Sequence, residues 1–201
     1  MMTGTTGMTD TADAGASWRA SRLRKAMWIA AAALLALPAV AMRVTFEVDW
    51  DGADFLIMGL LIAAACGAVE FGMRLSGHIA YRAGVVVGVG GAFLLVWINL
   101  AVGVLGSEDN AANLMYGAVL LTGMLGALLA RFRARGLVRT LLAMSAVQVA
   151  VPLVALALGW IPAASLPEAV GVTLFFLAPW LLAAALFHIA HTDGGPRTGA
   201  A

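Results

Sequence analysis

WINLAVGVLGSEDNAANLMY, residues 97–116, decides the fold. It opens inside an apolar run, drops abruptly into Ser107-Glu108-Asp109-Asn110, and turns apolar again within a few residues. A short polar break between two long apolar runs is the pattern of a tight connection between two membrane-crossing segments. Working outward, the run before the break covers 83–106 and the run after it 114–130, and similar runs occupy 26–42, 55–73, 139–160 and 169–190. Each approaches the about 20 residues needed to cross hydrocarbon as a helix. The chain is 62% hydrophobic and 11% charged, with a mean hydropathy of +0.95, far from the makeup of a water-soluble domain. Hydrocarbon offers no partner to unpaired backbone groups, and the runs lack the two-residue alternation of a barrel strand. The sequence therefore predicts an all-α polytopic transmembrane helical bundle of six spans. Residues 1–25 are expected to form a disordered tail, 26–190 the membrane domain and 191–201 a second disordered tail.

The cations orient it. Arg19, Arg22, Arg24 and Lys25 precede the first span; Arg74 and Arg82 flank the second connection; Arg131, Arg133, Arg135 and Arg139 flank the fourth; Arg197 lies in the tail. These alternate ends hold 11 of the 12 basic residues, leaving Arg43 alone on the other side. By the positive-inside rule both termini are expected in the cytoplasm. Glu47, Asp49, Asp51, Asp54, Glu108, Asp109 and Glu168 fall on the opposite side. Trp50, Tyr116 and Trp160 near the outer ends, with Trp28 and Tyr81 near the inner ends, are placed as interfacial anchors. The segment Arg24–Ala41 also has the basic flank, short apolar stretch and A-x-A ending of a secretory signal, whose removal would leave five helices. Cys66 is the single cysteine, which excludes an intrachain disulfide and any multi-cysteine metal site.

Helices in lipid associate through close backbone approach and occasional polar contacts. Small residues four apart predict seams at Gly59, Ala63 and Gly67, at Gly84, Gly88 and Ala92, and at Ala118, Thr122 and Gly126. Asn99 continues the second of these stripes two turns on and should face protein. Ser145, Gln148 and Pro152 share a face of the fifth span, where proline leaves the Gln148 carbonyl without its usual amide partner. Pro38 and Pro179 should bend the first and last spans. No internal repeat is apparent.

Each polar feature has a structural and a functional reading. In the opening stretch, Asn110 or Asn113 can cap the helix that follows, with Glu108 and Asp109 at the positive end of its dipole. Alternatively, Glu108 and Asp109 join Glu47, Asp49, Asp51 and Asp54 in an outer acidic cluster that gathers cations. DWDGAD, residues 49–54, loosely echoes a calcium loop but lacks its full spacing and closing glutamate, so capping of the second span by Asp51 or Asp54 is the simpler account. Glu70 is the one carboxylate within a span, and is expected to pair with Arg74 one turn on rather than to relay protons. Asn99 and Gln148 read as hydrogen bonds between helices first and as ligand contacts second. His188 and His191 share a face near the inner boundary, and the arginine-rich connection at 131–139 suits anionic headgroups. No catalytic motif is present.

Three segments carry a resemblance: AMRVTFEVDWDGADF, LLVWINLAVGVLGSEDNAANLMYGAVL and LLARFRARG. Over residues from about 26 to 160 the chain resembles a family of small uncharacterised bacterial integral membrane proteins, departing from it at Ala111, where the family carries proline. The resemblance implies a multi-pass protein of the bacterial inner membrane and adds no activity.

The expected function is that of a non-enzymatic accessory, assembly or stress-related membrane component. It needs no cofactor or metal and binds no nucleic acid; its partners are the lipid bilayer and either a second copy or another membrane protein. The alternative is a small transporter or channel for protons, cations or a small solute.

Overall fold

In a computed structural model of the chain, the backbone is described for residues 6–45, 48–101, 111–162 and 166–193, and side chains from Ser21 onward with Ala111 excepted. Nearly all of the described residues are helical, and none lies in a strand. The helices are α1 (Thr6–Val44), α2 (Gly52–Leu75), α3 (Ile79–Ala101), α4 (Tyr116–Leu129), α5 (Ala134–Ala157) and α6 (Leu166–Asp193). Among the described residues, six segments are long and apolar enough to cross a membrane, one in each helix, with α4 lengthened by the turn that precedes it. They fit a multi-pass membrane protein, and each overlaps one of the runs read from the sequence. The first runs longer than expected. The tail foreseen over 1–25 is helical from Thr6, because no proline interrupts it and extending an existing helix avoids the cost of a new nucleus.

The chain divides into two compact units, Met1–Glu70 and Phe71–Ala201. In the first unit, α2 begins with a capping box. The Asp51 carboxylate accepts from the Ala53 and Asp54 amides at 2.7 and 3.0 Å, and the Asp54 carboxylate accepts from the Asp51 amide at 2.9 Å. Gly59 approaches Leu35 of α1, to 3.7 Å from where a Cβ would stand. The rest of the predicted Gly59, Ala63, Gly67 seam fails: Ala63 and Gly67 are exposed, and nothing lies within 4 Å of Gly67. Met58, Ile62, Cys66 and Val69 are buried instead. That face lies one residue round the helix, where longer side chains reach neighbours that small residues cannot.

The second unit is built on α6, which packs against α3 on one side and α5 on the other, while α5 also packs against α4. The α3–α6 contact follows the predicted stripe with one shift. A Cβ on Gly84 would stand 3.1 Å from the Phe187 ring, one on Gly88 3.8 Å from Ala183, and one on Gly91 3.0 Å from Pro179 and Trp180. Gly91 takes the place of Ala92, as 3.6 residues per turn allows. On α4 the seam passes through Gly123, against Met144, and Gly126, against Thr140. Ala118 is exposed, and the Thr122 hydroxyl bonds back to the Ala118 carbonyl, so only Gly126 of the three predicted residues makes this contact.

One end of this unit is tied together. The Tyr81 hydroxyl donates to the Phe132 carbonyl, Phe71 and Phe132 rings meet edge to face at 5.2 Å, and His78 lies 3.5 Å from Asp193. The end of α2, the start of α3, the α4–α5 turn and the end of α6 therefore gather at one side. Arg74, Arg82, Arg131, Arg133, Arg135 and Arg139 all belong to it, which is the alternation that the sequence predicted for this unit.

Candidate functional site

The predicted site residues divide into those at helix ends and those within the bundle. Asp49, Asp51 and Asp54 are exposed, and the last two carboxylates are engaged in capping α2. Glu47, Glu108, Asp109 and Asn110 lie outside the described residues. The outer acidic cluster is thus not assembled by what the structure describes. Among the described residues, no three of His, Cys, Asp and Glu are grouped to hold a metal ion. Glu70 meets Arg24 of α1, Oε1 to Nε at 3.6 Å, a pairing across helices that an i,i+4 reading could not reveal. His188 and His191 are exposed.

Of the two caps expected for the fourth span, Asn110 lies outside the described residues, and α4 itself carries no side-chain cap at its N-cap residue. A single 3-10 turn, Ala111–Met115, runs straight into α4, whose N-cap is Met115 in helical conformation without a side-chain cap. A helix entered from a preceding turn has carbonyls already in place for its first amides, so it needs no asparagine there. Asn113 sits buried within that turn.

The interior of the second unit holds the more informative group. Gln148 on α5 is 0% exposed, and neither its amide nitrogen nor its amide oxygen has a hydrogen-bond partner. Three further buried atoms share this condition: the Tyr116 hydroxyl on α4, the Trp180 indole N–H on α6 and the Asn99 amide oxygen on α3. Asn99 spends its N–H on the Leu95 carbonyl at 3.1 Å, within its own helix. Thr140, Ser145 and Thr173 likewise bond back to carbonyls four residues earlier. The Tyr116 hydroxyl approaches Thr173 without closing a hydrogen bond to it. Pro152, buried one turn beyond Gln148, has no N–H to give the Gln148 carbonyl, so the backbone there is also short of a donor.

The sequence singled out Asn99 and Gln148 as hydrogen-bond glue between helices. They are placed inside the unit as expected, yet no glue forms. Each unmet buried polar group costs about 1–3 kcal/mol in a protein interior. Apolar residues in the same positions would carry no such cost. Tyr116 and Trp180 were missed. Tyr116 looked like an interfacial anchor but is 1% exposed, because α4 turns it inward on the same face as Val119, Gly123 and Gly126. That i, i+3, i+7, i+10 spacing was the available signal.

No protein family, curated protein or solved structure matches the chain.

Proposed function

We propose that the chain is a multi-pass protein of the bacterial inner membrane, with both termini cytoplasmic, that works without enzymatic chemistry as an assembly component among other membrane helices. The orientation rests on the alternation of its cations, and the bacterial setting on the resemblance of its three segments. The observation that carries the assembly role is how little of α1 its own unit covers. Its membrane window is 11% buried, against 39% for α5. Trp28, Ile29, Leu37, Val40 and Val44 on it are exposed. Of the six spans its window has the smallest buried share.

A photo-crosslinking residue placed at Leu37, compared with one at exposed Leu153 on α5, tests this in native membranes. The expected result is one adduct at Leu37, a membrane protein identifiable by mass, and only lipid at Leu153. Lipid adducts at both positions, with solute flux by the purified protein in liposomes, would replace this reading by that of a transporter. That second reading draws on the unmet polar atoms of the interior.

A further inference from the structure

We propose that the α3–α6 unit encloses a binding site for a small uncharged molecule that both donates and accepts hydrogen bonds, with the Gln148 amide at its centre. This inference rests on the helices standing in a membrane and not on the assembly role.

The helix registers give the order in depth of the unmet groups. The contacts of Gly84, Gly88 and Gly91 set α3 antiparallel to α6, which brings Asn99 level with Val172. Gly123 against Met144 and Gly126 against Thr140 set α4 antiparallel to α5, which brings Val119 level with Gln148 and Tyr116 one turn further out. Tyr116 meets Thr173, and so ties the α4–α5 pair to the depth scale of α6. Read along α6, Asn99 and Tyr116 come first, Gln148 follows near Phe176, and Trp180 lies one turn deeper. In depth they span about 12 Å, eight residues of helical rise.

All four groups are neutral, and together they offer both kinds of hydrogen bond. The Gln148 amide supplies a donor and an acceptor, Asn99 an acceptor, Trp180 a donor, and the Tyr116 hydroxyl either. No charged side chain is buried among the described residues, so nothing there would balance an ion taken out of water. The chemistry selects water or a neutral polar solute over an anion or cation. Unmet groups buried this deeply are the usual mark of an internal bound molecule. Helices that pack against one another for other reasons would have no cause to leave buried polar atoms on four side chains without partners.

Two probes distinguish the sources. The full chain in lipid nanodiscs is exposed to brief X-ray radiolysis in heavy-oxygen water, which labels side chains touching bound water. In parallel its unfolding midpoint is measured with acetamide, glycerol and, as a charged control, sodium acetate. Resident water predicts label on Tyr116 and Trp180, far above that on equally buried Phe176. A resident solute predicts a raised midpoint with acetamide or glycerol and none with acetate. In either case Gln148→Met, which keeps the volume and removes the amide, abolishes the effect, and Tyr116→Phe weakens it. The proposal is overturned if the wild-type protein shows neither label nor shift, if acetate acts as strongly as acetamide, or if Gln148→Met folds and leaves the effect intact. If Gln148→Met does not fold, the wild-type and Tyr116→Phe results decide.

Discussion

The Tyr81 hydroxyl donates to the Phe132 carbonyl at 2.8 Å, a bond between residues 51 apart that joins the start of α3 to the turn between α4 and α5. Phe132 has a φ of +58°, and Arg131 before it +50°, so two consecutive side-chain-bearing residues sit in the left-handed region. Tyr81 holds the second of them in place. Tyr81→Phe keeps the ring contact with Phe187 at 5.0 Å and removes only the hydroxyl. It should lower stability by about 1 kcal/mol, read as an earlier midpoint in thermal or SDS unfolding of the detergent-solubilised protein. An unchanged midpoint would mean that the turn holds itself.

The same turn permits a test of opposite signs. α4 ends with the Arg131 amide bonded to the Leu128 carbonyl and the Phe132 amide to that of Ala127; α5 ends with the Gly159 amide bonded to the Leu156 carbonyl and the Trp160 amide to that of Ala155. These are the two bonds of a Schellman ending, made once with arginine and once with glycine in the left-handed position. The Gly159 φ of +71° is free of penalty, whereas a side chain there costs about 1–2 kcal/mol. Arg131→Gly should therefore raise the unfolding midpoint and Gly159→Ala lower it. Equal signs would show that the turns are not set by backbone preference.

The spans were legible because solvent decides them: a run of apolar residues of bilayer length has one stable conformation in lipid, whatever its neighbours do. Neighbours decide the rest. The Gly59, Ala63, Gly67 stripe was misread because small residues alone do not say which face is covered, and Met58 and Ile62 beside them had longer reach. The Arg24 partner of Glu70 could not be read because sequence spacing shows partners only within one helix, while Arg24 arrives from α1. The α2 cap was readable since its donors and acceptors lie within four residues. Gln148 and Asn99 were recognised as interior polar groups from their stripes, but that they would go unmet depends on what faces them from other helices. No local pattern carries that.

Close packing at α4–α5 predicts a sharp contrast between two glycines. A Cβ on Gly126 would stand 2.5 Å from the Thr140 Cγ2 and 2.6 Å from its hydroxyl, which is itself bonded to the Gly136 carbonyl at 3.2 Å. Turning Thr140 away breaks that bond, so the helices must separate. Gly126→Ala should cost about 1–3 kcal/mol, the range of an overpacked core. Gly67→Ala, with open space around it, should be neutral or stabilise by up to about 1 kcal/mol through helix propensity. Thermal midpoints of the two variants, measured side by side, check the assignment of the contact face.

Reporter fusions check the orientation. On the proposed orientation, a phosphatase fused after Arg133 should be inactive and a fluorescent protein there bright, since arginines such as those at 131, 133 and 135 favour the cytoplasmic side. Replacing those three with asparagine should produce a mixed population rather than clean inversion, since Arg74 and Arg82 hold the same end of the second unit. A phosphatase active in the wild-type fusion would reverse every side assignment made from charge.

The acids around Trp50 offer a choice between a cap and a cation site, and the two make different predictions. As a cap, Asp51 accepts two amide hydrogen bonds at the start of α2 and Asp54 returns one, while neighbouring Asp49 takes no part. Asp51→Ala should then lower stability by about 0.5–2 kcal/mol. Asp51→Asn or Asp51→Ser should recover most of the loss, because either side chain can still accept from those amides. Asp49→Ala should change nothing. As a cation site, all three carboxylates would matter alike, Asn would fail to rescue, and added calcium would raise the midpoint of the wild-type protein by mass action. Midpoints of the four variants with calcium and with chelator separate the two, and the hydrogen bonding of Asp51 predicts rescue by Asn with no calcium dependence.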